Sequence, residues 1–333
     1  MKTMAKRLKW RRGILIFIIM FAFGSSSSAG EFPIKPIEWL SPVGVGGIAG
    51  MSMNVIAEAA SKYLGQRVLV VSAPGGGTML ASARVARAKP DGYTLLLASS
   101  SSNGIVLFLR KDVPYRNSDF EFIAQYGTLD QGLAVRNDSP FKTLEDLLEF
   151  AKKNPHVIKV ATLGQGTTPH LFLELLKLEV PGLQIDMVPF KTASEIRTAF
   201  IGGHVQAGVC GGGGGGPADE WRIVIESGGR FLADAAKRHP KAYPNVPTFF
   251  ERGFNVDFTS WFGIAGPKGM PKEVSQKLKD AFYKAITDPK VIEEIEKLGF
   301  VYEFRNSEEL TEFVVEYERK IKRIVEEAKI PAS

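Results

Sequence analysis

Ile37-Glu-Trp-Leu-Ser41, Pro42-Val-Gly-Val-Gly-Gly-Ile-Ala-Gly50 and Met51-Ser-Met-Asn-Val-Ile-Ala-Glu58 follow one another without a break. The first stretch is a short apolar run of strand character. The third opens a helical pattern that continues to residue 63. The loop between them is almost without side chains, so it presents bare backbone amides at a helix N-terminus, where they and the helix dipole favour an anion. Gly44-x-Gly46-x-x-Ala49 also satisfies the dinucleotide-binding pattern, which needs an acidic residue about 20 positions further on to hold a ribose. The second strand ends Val70-Val-Ser-Ala73 with no acid, and that removes a nicotinamide dehydrogenase.

The same alternation continues outward. Strand-like runs rich in Val, Ile and Leu fall at 67–72, 93–98, 132–135, 158–162, 185–188, 205–209 and 231–233. Helical patterns separate them at 51–64, 80–88, 144–153, 170–178 and 194–200. This order predicts an α/β fold with largely parallel sheets. Beyond residue 271 the pattern is helical, at 272–287, 291–298 and 308–327, with Pro271 and Pro289 near helix starts, where a missing amide costs little. Leu310, Phe313, Val314, Tyr317, Ile321 and Ile324 recur at helical spacing and read as a packing face. Six consecutive glycines at 211–216 precede Pro217. No Gly-Lys-Ser/Thr follows, so they read as a flexible crossing or cleft rim rather than a phosphate loop.

Residues 1–30 carry Lys2, Lys6, Arg7, Lys9, Arg11 and Arg12, an apolar run at 14–23, four serines, then Ala29 and Gly30. That is the pattern of a secretory signal peptide cleaved near Ala29 or Gly30. The apolar run is half the roughly 20 residues a membrane-spanning helix needs. The single cysteine, Cys210, is far from the cleavage point, so no thiol stands there to take a lipid, and the mature chain has no internal disulfide. The expectation is an exported, soluble protein without a lipid anchor, kept near the cell by an outer membrane, hence periplasmic. Six of the 42 basic residues and none of the 36 acidic ones lie in the signal, leaving 36 of each. A nucleic-acid partner loses its electrostatic basis. The roughly 300 remaining residues suggest two domains.

The order of motifs is distinctive. Lys35-Pro-Ile-Glu-Trp-Leu-Ser-Pro-Val-Gly-Val-Gly-Gly47 is followed by Pro74-Gly-Gly-Gly-Thr78, Lys89-Pro-Asp-Gly-Tyr-Thr-Leu-Leu-Leu97 and Ser139-Pro-Phe-Lys-Thr-Leu-Glu-Asp-Leu-Leu148. Then come Gly164-Gln-Gly-Thr-Thr-Pro-His170, Val188-Pro-Phe-Lys191, Tyr243-Pro-Asn-Val-Pro-Thr248 and Ser260-Trp-Phe-Gly-Ile-Ala-Gly-Pro-Lys-Gly-Met-Pro271. From about residue 32 to 330 the chain resembles the substrate-binding receptors of tripartite tricarboxylate transporters, also called Bug receptors. The resemblance implies a two-lobed, type II periplasmic-binding-protein fold with a ligand cleft between the lobes. Residues 31–128 plus 258–333 would form one lobe and 129–257 the other. It also implies a monomer that delivers a small carboxylate to one large and one small membrane subunit, driven by an ion gradient, with no cofactor. A receptor feeding a signalling system uses the same closing cleft and stands as the alternative.

The candidate site follows from the loops. Val43, Gly46, Gly47, Ala49 and Gly50 form one jaw. Gly77 and Thr78 precede a further helix and either touch the ligand or shape the cleft. Ser99 and Ser100 follow the strand ending at Ala98, and parallel-sheet folds gather ligands at carboxyl ends of strands. Gly166, Thr167 and Thr168 form the opposing jaw, with one of the two threonines placed to cap the next helix. His170 either reaches the ligand or buttresses its loop. Relatives in the family often carry Asp where this chain has Gly50, and an ungapped comparison puts Cys210 where many carry another Asp. Their absence disfavours an amino-acid ligand and points to a small mono- or dicarboxylate with an uncharged, apolar or aromatic body. The hydrolase alternative finds no Gly-x-Ser-x-Gly elbow and no acid placed to orient a histidine. Four histidines and one cysteine, widely scattered, make no metal set.

Overall fold

Each strand anticipated from the sequence forms, and two more join them. This computed structural model describes residues 32–190, 192–212, 220–239 and 241–332; the export signal read at 1–30 lies outside them. The chain divides into two units, Met1–Ile34 and Lys35–Ser333. Of the first, residues 32–34 are described, with a cis peptide before Pro33. The second holds all the regular structure described below.

It opens with β1 (Ile37–Ser41), α1 (Ile48–Leu64), β2 (Val68–Ser72), α2 (Met79–Ala86) and β3 (Thr94–Ser99). β1 lies between β2 and β3 and is parallel to both, as strands joined through helices must be. A π-helical turn, Ser101–Ile105, leads into the short α3 (Val106–Leu109) and then into β4 (Phe120–Arg136). Next come α4 (Leu144–Lys153), β5 (Lys159–Leu163), α5 (Thr168–Glu179), β6 (Asp186–Phe190), α6 (Ala193–Ile201), β7 (Ala207–Gly212), α7 (Glu220–Glu226) and β8 (Gly229–Asp234). The chain ends with β9 (Thr259–Pro267), α8 (Lys272–Ile286), α9 (Pro289–Lys297), β10 (Val301–Arg305) and α10 (Ser307–Glu327).

The sheet runs β2-β1-β3-β9-β4-β7-β5-β6, with β8 and β10 also paired to β4. It is mixed rather than largely parallel, because every pairing made by β4 is antiparallel. That strand is 17 residues long, where the sequence showed strand character over four. Its residues are buried along nearly the whole length, so it lacks the apolar-polar alternation that marks a half-exposed strand. From Phe120 to Asp130 it pairs with β9, and from Asp130 onward with β7 and β8. Two half-sheets thus share one strand and change partners at Asp130. Gly211 and Gly212, read as part of a flexible run, are the end of β7, opposite Gln131 and Asp130; residues 213–219 lie outside the described set.

One large core spans both half-sheets, from Leu40 and Leu96 to Leu133, Val160 and Val209, and takes in α4 and α5; a smaller one gathers Ala134, Ala161, Phe200, Cys210 and Phe231. α10 buries Leu310, Val314, Tyr317, Ile321 and Ile324, as its spacing predicted, while Phe313 is half-buried. Its first turn is closed by a capping box between Asn306 and Glu309, a feature that contributes about 1 kcal/mol. The strand switch carries charge. Asp130 is fully buried, and Arg238 Nη1 donates to its Oδ2 at 2.8 Å while Nη2 donates to Thr128 Oγ1 at 3.0 Å. Asp234, opposite Gly132 in β8, is equally buried, with no side-chain donor on either carboxylate oxygen. Burial, reinforced by Asp130 nearby, pushes its carboxyl well above the usual aspartate range.

Candidate functional site

Four loops at strand ends carry the residues singled out in the sequence. After β1, the Ser41 hydroxyl donates to the Val43 carbonyl at 2.8 Å and turns the chain. Val43, Gly46 and Gly47 are exposed and Ala49 is half-buried. Gly47 is the N-cap of α1, in extended conformation, with no side-chain cap and no acidic residue in the first turn. The first-turn amides of half-buried Ile48 and Ala49 are thereby left for an external acceptor. Gly50 is buried under the loop that precedes it. A Cβ there would stand 2.2 Å from the Val45 carbonyl oxygen and 2.3 Å from Val45 Cα. No aspartate fits, so the missing carboxylate follows from the path of the loop.

The second loop is wound left-handed. Gly75, Gly76 and Gly77 have φ of 142°, 57° and 63°, and Thr78 continues at 86°. Three of these conformations suit glycine, but the fourth strains a β-branched residue. The Thr78 hydroxyl is buried and has no hydrogen-bond partner, although its carbonyl accepts from Ser82 Oγ at 3.0 Å. Gly77 is exposed.

The serine loop turns inward. Ser99 and Ser100 are 6% and 2% exposed. Ser99 Oγ lies 3.0 Å from Ser102 Oγ, which donates to Asn103 Oδ1 at 2.8 Å. Asn103 and Asn117 exchange amide bonds at 2.9 and 2.8 Å, and Tyr115 donates to the Ser102 carbonyl at 2.7 Å. The network locks the π-helical turn in place. The structure thus directs Ser99 into packing, and the side chain it leaves at the surface of the turn is Ser101.

In the opposing loop Thr167 is the N-cap of α5 by position, but its hydroxyl makes no cap. It donates to the carbonyl of Gly164 at 2.7 Å, with Leu163 O at 3.3 Å. The helix start therefore keeps the amides of Thr168 and His170, Pro169 between them having none, and no acidic residue stands in the first turn. Gly166, at φ 81°, donates its amide to His170 Nδ1 at 3.2 Å. That is the buttressing role for His170. Its ring and Thr168 are both 5% exposed, and burial holds the imidazole pKa below the usual histidine value against the pull of Glu174. Cys210 is 6% exposed in the smaller core and paired with Gly132; it is not brought to these loops.

The structure does bring two of the loops together. Gly77 and Gly166, from opposite half-sheets, line one open chamber of about 360 Å³ with Ser101 and Gln165. Sequence reasoning missed Ser101 because the wider π-helical turn shifts which serine faces outward. A larger cavity, about 670 Å³, is bordered by Lys237, Arg238, Asp257, Glu303 and Lys320 at the strand switch. Its charges pair among themselves, Lys320 with Asp257 and Arg238 with Glu303, and none of the anticipated residues lines it. Among the described residues no three His, Cys, Asp or Glu side chains gather as a metal site, and no helix is long and apolar enough to cross a membrane.

Comparison with known proteins places this architecture. A UPF0065 protein from the gbd 5' region of Cupriavidus necator is 32% identical over 313 residues, 92% of this chain and 91% of the relative. The crystal structure of a ligand-free TctC solute-binding protein from Polaromonas is 25% identical, with a TM-score of 0.78, covering 89% of this chain and 99% of that one. The MatC protein of Rhodopseudomonas palustris, solved with bound malate, shares the fold at 24% identity, a TM-score of 0.71 and coverage of 88% and 100%. The fold is thus the two-lobed one of periplasmic binding proteins. The family model described as tripartite tricarboxylate transporter family receptor matches residues 53–330, and the chain belongs to that family.

Proposed function

We propose that the protein is an extracytoplasmic solute receptor that captures a small carboxylate between two lobes and delivers it to a tripartite tricarboxylate-type secondary transporter. One observation carries this reading: α1 and α5 both begin without a side-chain cap and without an acid in the first turn. Each helix start offers amides to an anion. Family membership supports the reading, and malate in a protein of the same fold is consistent with a carboxylate cargo. The lobes are 31–128 with 258–333, and 129–257. The change of partners along β4 at Asp130 and the start of β9 at Thr259 support that division.

The protein acts as a receptor rather than an enzyme. Ligand bridging both lobes stabilises the closed form, which presents a joined surface to the large and small membrane subunits. A monomer suffices for this, and the working place is the periplasm, reached through the signal at 1–30. The Gly50 geometry supports a ligand without an amine, since no carboxylate stands there to meet one.

Native mass spectrometry of the purified mature protein tests the reading first, because a retained ligand appears as added mass. Isothermal titration with succinate, citrate, adipate and aromatic carboxylates, against aspartate and glutamate, follows. Micromolar binding of a carboxylate without an amine is expected. Binding of aspartate or glutamate alone would overturn the ligand class.

A further inference from the structure

The chamber has two kinds of wall. One is the polar, glycine-rich set described above; the other is apolar, Ile105, Val106 and Leu109, all buried, and the lining is completed by half-exposed Arg110 and Ala332 and exposed Pro331, which make its outer edge. Val106 and Leu109 sit three apart on α3 and so point the same way. The outer edge is built, not loose. Lys329 takes φ 53°, its amide bonds the Glu326 carbonyl at 3.2 Å, and the Ile330 amide bonds the Val325 carbonyl at 3.0 Å. This is a Schellman closure of α10, and Ile330 and Val325 both pack against the large core, the apolar contact that accompanies it. A further tie fixes the helix end, as Arg323 Nη2 meets Glu179 Oε1 of α5 at 2.8 Å. Residues 331 and 332 are thereby held against the chamber.

Arg110 supplies the one cation of the lining. It pairs with Asp112, two residues on, at 3.3 and 3.5 Å on the protein surface. A loose exposed pair of this kind is worth little and gives way to a better-placed carboxylate.

We propose that this chamber measures ligand length. The apolar stem of an α,ω-dicarboxylate lies along Ile105, Val106 and Leu109, its far carboxylate meets Arg110, and Ala332 with Pro331 closes the outer wall. The inference rests on the carboxylate-receptor reading and adds to it a class, dicarboxylates with a stem longer than that of succinate.

The test titrates the full mature protein with succinate, adipate and hexanoate. Wild type is expected to bind adipate about tenfold more tightly than either of the others, the scale on which a pocket discriminates methylenes. Ala332→Trp, at the half-exposed edge of the chamber, should bring adipate down to the succinate level while succinate stays within about twofold. Ala332→Leu should give an intermediate loss, and Arg110→Gln should bring adipate down to the hexanoate level. Melting curves without ligand should coincide for all variants, since both positions lie at the surface. An adipate preference that survives these substitutions, or a wild type that prefers succinate, overturns the length inference and leaves the receptor reading intact. A wild type that binds no carboxylate overturns both.

Discussion

The two jaws of the candidate cleft reach the same end by opposite means. In the loop 42–50 the loop's own residues contribute no side-chain hydrogen bond; Ser41 and Ser52 at its flanks donate to the Val43 and Ala49 carbonyls, and the tightest contact is Val45 lying where a side chain of residue 50 would be. In the loop 164–170 the shape is fixed by side chains, with Thr167 bonded to Gly164 O and His170 receiving the Gly166 amide. Both leave helix-start amides open. The difference teaches that a loop which leaves helix-start amides open can be preorganised either by excluding side chains or by engaging their polar groups internally, and the two designs fail differently under mutation.

The largest effect is expected at the close approach. Gly50→Ala should destabilise the protein by about 3 kcal/mol and abolish ligand binding, because backbone rather than a flexible side chain must move. Urea unfolding together with titration checks this, and a variant with near wild-type stability would break the account of the first jaw. His170→Leu should cost about 2 kcal/mol by leaving the Gly166 amide unpaired. It should also alter the pH dependence. The folded histidine pKa is depressed by burial, so below the usual histidine value the unfolded chain takes up a proton that the folded one resists. Wild-type stability should therefore fall as the pH drops through and below the usual histidine value of about 6.5, and His170→Leu should flatten that fall. A fall of equal depth in both proteins would remove the assignment.

Thr167→Val should cost about 1 kcal/mol, the ordinary worth of its bond to Gly164, and weaken binding through a looser loop rather than a lost ligand contact. Replacement by Ser restores the hydroxyl and should recover both properties; if Ser recovers stability but not affinity, the side chain touches the ligand after all. The smallest effect is predicted at Gly46→Ala. A Cβ there meets nothing within 4 Å, so stability should change by less than about 0.5 kcal/mol. Affinity is the sensitive readout, falling if the ligand lies against residue 46 and unchanged if it does not.

Much of this architecture was legible in the residues. The strands β1, β2, β3, β5 and β6 and most helices declared themselves through apolar runs and helical spacing, and α4 matched to the residue. β4 did not, because a strand covered on both faces has no reason to alternate, and β9 is interrupted by Gly263 and Gly266. The loops of the site were legible as positions but not as directions. Nothing in Ser99-Ser-Ser-Ser102 tells which hydroxyl faces outward, since that depends on a π-helical turn fixed by Asn117 and Tyr115 from farther along the chain. The outer wall at Pro331 and Ala332 was invisible for the same reason: its neighbours lie at 77, 101–110 and 165–166, and contacts so distant in sequence carry no local pattern.

The shared strand β4 has a mechanical consequence. A strand bonded to neighbours along both edges has no swivel point, so any relative movement of the half-sheets must be spread as added twist over several residues near Asp130. It works as a torsion bar rather than a door hinge. Its restoring force is set by hydrogen-bond geometry and by the Arg238 contacts at Asp130 and Thr128. The resting angle between the half-sheets can therefore be tuned at 128–131, far in sequence from either jaw.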